Sequence, residues 1–293
     1  MRRTIYLDTT LWNKLYEQSV DPAGLVRSLR ENGAELVFSP HLRYELSKTF
    51  RSTRPGRQEK AKPLFCYLEQ FMTFRIPCAK QVVDLLREEV KCANGQVREV
   101  GCFYQAEDYE REAGEIRKLA RGQLGPQLDK ILNFRSQQVQ AFRAESSQRA
   151  AVWRELMEGK EIATFPAFLE VTFRELGPAC LRKHISRLFP EFRARDIKRI
   201  ARKILSAQRY RLARALVRGD LYMDWRCYRD RALARDTLDD CYHMENAAYC
   251  EFYATDDLSQ EAHANDILCA TKVRIYDRKT PIVEWLTSIG ISG

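Results

Sequence analysis

Short, uniformly apolar runs rich in β-branched and aromatic residues occur near both ends of the chain and not in its middle. Ile5-Tyr6-Leu7 and Leu36-Val37-Phe38 each read as a buried strand. After the first, Thr9 or Thr10 can cap a helix that carries Leu11, Trp12, Leu15 and Tyr16 inward at helical spacing. Asn32-Gly33 closes the next helical stretch. After the second strand, Ser39 caps a helix and Pro40 takes its first turn, with Glu45 one to two turns in. A polar, basic loop over 51–62 leads to a helix over 64–73, and Phe74-Arg75-Ile76-Pro77 reads as a short strand or an extended link. From Val82 to Arg235 the pattern is helical, punctuated by Gly101, Gly125-Pro126, Gly177-Pro178 and Gly219, with no convincing sheet signal. Alternation returns with a helix from about Asp239, a strand over 252–254, a short helix, a strand over 272–276 and a last helix over 284–289. Strands alternating with helices predict a parallel sheet. The chain therefore reads as a split α/β core, residues 1–80 and 225–293, around a long helical insertion over 81–224.

Composition narrows the partners. With 45% hydrophobic residues in 293, the chain can bury a sizeable core and is not wholly disordered. The net charge of +9 points to a polyanionic partner. Within 182–218, thirteen Lys or Arg stand against Glu191 and Asp196 alone, so the positive charge is concentrated in the insertion. There Ile197, Ile200, Ala201, Ile204 and Leu205 form one helical stripe, and Arg195, Lys198, Arg199, Arg202 and Lys203 cover the rest. Such a helix contacts phosphates, a membrane surface or an acidic protein, or is a solvated face. Tyr210, Tyr222, Trp225 and Tyr228 either stack on unpaired bases or belong to the core. No run approaches the roughly 20 apolar residues of a membrane helix. The nine cysteines form no CxxC pair and the Met1-Arg2-Arg3 start shows no signal peptide, which together predict reduced thiols in the cytoplasm. The four histidines are scattered along the sequence, and that spacing argues against a zinc site.

Acidic residues recur just past the strands. Asp8 follows the first, Glu45 lies on the helix after the second, Asp239-Asp240 open a later helix, and Asp256-Asp257 follow Phe252-Tyr253-Ala254-Thr255. Singly each has a plain alternative: Asp8 as a helix cap, Glu45 as a solvated glutamate, Thr237 with Asp240 as a capping box, Asp256-Asp257 as a turn. Together they sit in matching topological positions, because parallel sheets build sites at the carboxyl ends of strands. Clustered carboxylates repel unless a hard divalent cation lies between them.

These segments, Tyr6-Leu7-Asp8-Thr9-Thr10-Leu11-Trp12, Ser39-Pro40 with Glu45, Asp240-Cys241-Tyr242-His243 and Phe252-Tyr253-Ala254-Thr255-Asp256-Asp257, resemble the PIN-domain superfamily of metal-dependent nucleases. The resemblance covers about residues 1–80 and 225–293. It implies a three-layer α/β fold with a central parallel sheet, plus the long α-helical insertion. It further implies that Asp8, Glu45, Asp240 and Asp257 hold one or two Mg²⁺ or Mn²⁺ ions and cleave nucleic acid, RNA in preference to DNA. The family's Thr-x-Asp selects Asp257 over Asp256, and its Asp-x-x-His selects Asp240 over Asp239. Thr255, Asp256, Asp239, His243 and Asn13 are supporting candidates. His243 reads first as a structural histidine bonding nearby backbone and second as a catalytic one, and Asn13 is either a phosphate contact or a helix-surface asparagine. The competing functions are a non-catalytic RNA-binding module of the same fold, and a DNA-directed nuclease of repair or phage defence. A protein partner or a homo-oligomer is compatible with the sequence; a membrane partner is not expected.

Overall fold

The computed structural model describes residues 2–160, 162–230 and 237–291. Four strands, β1 (Arg3–Leu7), β2 (Ala34–Val37), β3 (Phe252–Thr255) and β4 (Lys272–Ile275), form an all-parallel sheet in the order β2-β1-β3-β4. Among the described residues thirteen α-helices accompany it. The amino-terminal part supplies α1 (Thr9–Glu17), α2 (Pro22–Glu31), α3 (Pro40–Ser47) and α4 (Ala61–Thr73). The long stretch between β2 and β3 continues with α5 (Val82–Ala93), α6 (Ala106–Ala120), α7 (Pro126–Leu156), α8 (Phe165–Leu188), α9 (Ala194–Ser206), α10 (Arg211–Asp230) and α11 (Thr237–Ala247). The carboxyl-terminal part adds α12 (Leu258–Ile267) and α13 (Ile282–Ile291).

The strands are apolar on both faces because both faces are covered. Tyr6 lies opposite Tyr253, and Tyr253 opposite Val273; these residues, with Val37, pack into a core shared with α5, α8, α9, α10 and α12. Ile5, Leu7, Leu36, Phe252 and Ala254 point the other way, into a core shared with α1, α2, α4, α6 and α13. The helices between β2 and β3 thus divide between the two faces. Helix α7, 31 residues long, joins both layers: Leu128 and Leu132 belong to one core, Trp153 to the other. Tyr210, Tyr222 and Trp225 are buried, which assigns them to the core and removes them as base-stacking platforms.

Some boundaries differ from expectation. Strand β2 begins at Ala34, two residues early, and Phe38 instead makes a single parallel bridge to Cys78. The extended link expected at 74–77 therefore lies along the β2 edge, where the Phe38 N–H donates to the Pro77 carbonyl at 2.9 Å. Thr237 is helical, and Arg235, the expected end of the helical stretch, lies outside the described residues. All nine cysteines are free thiols. Among the described residues no helix is long and apolar enough to cross a membrane.

One long-range contact fixes how α10 meets the sheet. The first N–H groups of a helix lack partners within it. Here Glu89 of α5, fully buried, accepts Leu212 N–H and Ala213 N–H at 2.8 Å each, and the Tyr249 hydroxyl at 2.6 Å. Tyr249 precedes β3, so this knot ties α5 and the start of α10 to the side of the sheet where strands begin.

Candidate functional site

The strand order reverses direction at β1: β2 lies on one side and β3 on the other. Open parallel sheets bind ligands in the crevice beyond the carboxyl ends of such strands. Asp8 stands there. Its N–H donates to the Ala254 carbonyl at 3.0 Å, and its carboxylate accepts Leu11 N–H at 2.8 Å and the Thr255 hydroxyl at 2.5 Å. It is thus both the cap of α1 and a buried carboxylate aimed at the end of β3. Burial pushes its carboxyl up to about 6, against the Thr255 and Leu11 hydrogen bonds and the nearby His243, all of which pull it down.

Glu45 reaches the same place from α3. It accepts the Thr9 hydroxyl and pairs with His243 Nε2. Burial opposes its charge, but the His243 imidazolium outweighs burial and holds the Glu45 carboxyl well below the usual range. Reciprocally, burial favours the neutral His243, and Glu45, Asp8 and Asp240 raise its proton affinity. His243 Nδ1 meets the Tyr6 hydroxyl at 2.9 Å, and that hydroxyl meets Ser39 Oγ at 2.9 Å. The histidine therefore bonds side chains of β1, α1 and α3 rather than nearby backbone, which corrects the first of its two sequence readings.

Asp240 lies one turn before His243 on α11. Its carboxylate accepts Gln260 Nε2 at 2.9 Å, and Gln260 in turn accepts the Tyr253 hydroxyl at 2.8 Å. Asp8, Glu45 and Asp240 all bear on His243 and on the buried Tyr253 hydroxyl. Asp257 stands slightly apart: its N–H donates to Thr255 Oγ1 at 3.1 Å, while its carboxylate caps α12 through Ser259 N–H at 2.8 Å. Thr255 accordingly links Asp8 to Asp257. Asp256 is turned away and buried between Lys14 at 3.1 Å and Arg278 at 2.9 Å. Asp239 pairs with Lys48 at 2.5 Å.

Sequence reasoning missed His41. It lies four residues before Glu45 on α3, so the two share a helical face. Its ring packs edge-on against His243, with centroids 4.6 Å apart. His41, Glu45 and His243 present ligating atoms that all lie within 4.8 Å of one another, and this group can hold a metal ion. Scattered spacing argued against any such cluster; the fold brings together two histidines that lie far apart in the sequence. The readable signal was His41 and Glu45 at helical spacing.

A groove of about 650 Å³ is lined in part by Thr10, Asn13, Lys14, Arg54, Arg57 and Arg278, and it is Asp256, not Asp8, Glu45, Asp240 or Asp257, that borders it. Arg54 and Arg57 belong to the basic loop before α4 and are exposed. The basic helix α9 lies elsewhere. Its apolar stripe is buried, and Arg195, Lys198, Arg199, Arg202 and Lys203 are exposed. Lys203 donates to the Ala93 carbonyl at 2.5 Å and Arg199 to Asn94 Oδ1 at 3.2 Å, tethering α9 to the end of α5. That end carries the Glu89 knot and lies on the side where strands begin, opposite the acids. Comparison of the chain with protein-family models, with characterised proteins and with solved structures finds no match in any of the three.

Proposed function

We propose that the protein is a metal-dependent phosphodiesterase of PIN type that cleaves nucleic acid, as an endoribonuclease in the first instance. The observation that carries this reading is the meeting of Asp8, Glu45 and Asp240 around His243 at the switch point of the sheet. The donor set fits a hard cation: Asp8 is a buried carboxylate with hydroxyl and amide partners only, and its neighbours offer further carboxylate oxygens. Bound there, Mg²⁺ or Mn²⁺ supplies an activated water and charge neutralisation at the scissile phosphate. Asp8 and Asp240 would hold it, with Glu45 and Asp257 as further carboxylates, the latter now engaged as the cap of α12. Thr255 orients Asp8 through its hydroxyl. The groove beside Asn13 and Lys14 supports a polyanionic substrate, with Arg54, Arg57 and Arg278 facing its phosphates and Asn13 within its lining.

The test is incubation of the purified chain with labelled single-stranded RNA and DNA, with Mn²⁺ or EDTA. Cleavage of RNA that EDTA abolishes is expected. Binding without cleavage under any divalent cation favours the RNA-binding module, and preferential DNA cleavage favours the DNA-directed enzyme.

The two basic surfaces separate in a binding assay. Reversing Arg54 and Arg57 is expected to weaken RNA binding and to lower the log–log salt slope by about 0.7 per lost phosphate contact. Reversing Arg195, Lys198 and Arg202, which have no hydrogen-bond or ion-pair partner among the described residues, should do the same if α9 also touches RNA. An unchanged affinity and slope in the α9 variant assigns that face to solvent or to a protein partner.

A further inference from the structure

We propose that His41, Glu45 and His243 form a binding site for a borderline transition-metal ion, with Zn²⁺ as its probe, adjoining the hard-cation site of the sheet-edge carboxylates and sharing Glu45 with it. Three observations meet here. First, His41 is 7% exposed and its Nε2 is buried without a hydrogen-bond partner. Buried polar atoms are ordinarily paired, so a buried unpartnered nitrogen on a histidine that packs against His243 and clusters with Glu45 favours a ligand role for His41. Second, the donors come from two helices held in register. His41 and Glu45 share one face of α3, and α11 brings His243 onto it. Third, the outer contacts of the group are those that orient a metal-bound histidine. With Nε2 on the ion, His243 Nδ1–H donates to the Tyr6 hydroxyl, which donates to Ser39 Oγ. Ser39 in turn caps α3, the helix that carries the other two ligands, by accepting Leu42 N–H at 3.1 Å.

The donor chemistry sets the class of ion. Two imidazole nitrogens and one carboxylate suit zinc or its first-row neighbours, whereas Mg²⁺ selects oxygen. A tetrahedral zinc with bonds of about 2.0–2.1 Å needs ligand-to-ligand edges of about 3.3 Å. The ligating atoms all lie within 4.8 Å of one another, so side-chain adjustment alone brings them to that edge. The ion takes the place of the proton that His243 and Glu45 share, and that proton passes to solvent. Three protein ligands leave a fourth position for water. The group shares Glu45 with the proposed hard-cation site, and what is its own is the pair of imidazoles, His41 and His243.

The full chain, stripped with chelator and dialysed, is titrated with Zn²⁺ by calorimetry and with Co²⁺ by visible absorption. One equivalent per chain is expected, with a nitrogen–oxygen cobalt spectrum, no thiolate charge-transfer band, and no displacement by millimolar Mg²⁺. His41→Asn should weaken zinc binding by roughly 100-fold. His41→Phe, which keeps the ring packing, should do the same with an unchanged circular dichroism spectrum. Asp8→Asn should leave zinc affinity intact even where it removes nuclease activity, so failure of one site is told apart from failure of the other. Zinc binding that survives both His41 substitutions, that is lost in Asp8→Asn, that yields to Mg²⁺, or that is absent overturns the proposal.

Discussion

Asp8→Asn is expected to lower RNA cleavage by at least roughly 100-fold while leaving the fold intact. The side chain keeps its size and can keep the Leu11 N–H on its one carbonyl oxygen. The Thr255 hydroxyl, which now donates to the second carboxylate oxygen, turns to accept from the new amide. What is lost is a charge that burial disfavours in the metal-free protein, more strongly than the Thr255 and Leu11 hydrogen bonds and the nearby His243 favour it. Melting in EDTA should therefore be as high as in the parent or higher, the opposite of what a structural cap would show. Single-turnover cleavage and thermal melts of the same preparations make the comparison. Retained cleavage removes Asp8 from the site; a lost fold makes it a cap and nothing more.

Glu89→Ala should destabilise the protein by about 3 kcal/mol, since it strands two buried helix N–H groups at once, while the Tyr249 hydroxyl keeps the Arg209 carbonyl. The same residue sets a pH dependence. Burial pushes its carboxyl up from 4.5 to about 7, ahead of the three hydrogen bonds that pull it down. The folded state thus holds this proton more tightly than the unfolded chain does. Its contribution is fully present below pH 4.5 and is lost as pH rises through about 7, on the order of 3 kcal/mol in all. Urea unfolding at intervals across that window should show the decline in the parent and a flat contribution in Glu89→Ala. An equal slope in both proteins would assign the pH dependence to other groups.

The parallel sheet was legible because its strands are short, apolar on both faces and bounded by Asn32-Gly33, Ser39-Pro40 and Thr255-Asp256. The helical middle was legible from periodicity, and the stripe of α9 from its alternation with arginine and lysine. Three things were not. The helical stretch over 81–224 gives no sign that it covers both faces of the sheet, because periodicity marks which side of a helix is apolar and not what lies against it. The position of α10 depends on Glu89, a lone glutamate whose backbone partners there are more than 120 residues away. The His41–His243 meeting is equally remote in sequence. Sequence order, by contrast, was enough to predict that residues after β1 and β3 would gather at one edge. Which of Asp256 and Asp257 faces the site turns on Lys14 and Arg278, which draw Asp256 away.

The neighbours β1 and β3 carry Asp8 and Thr255, which are 247 residues apart. At translation rates of about 5–20 residues per second, β1 waits roughly 10–50 s for its partner strand to leave the ribosome. Helices α1 and α2 and strand β2 can assemble beside it during that time, but its other edge is open. Contacts this distant also slow the final pairing, because loop closure precedes any gain from the contact. The acidic edge therefore assembles late: a nascent or truncated chain that stops before β3 has no Thr255, no Asp257 and no Asp8 held against them.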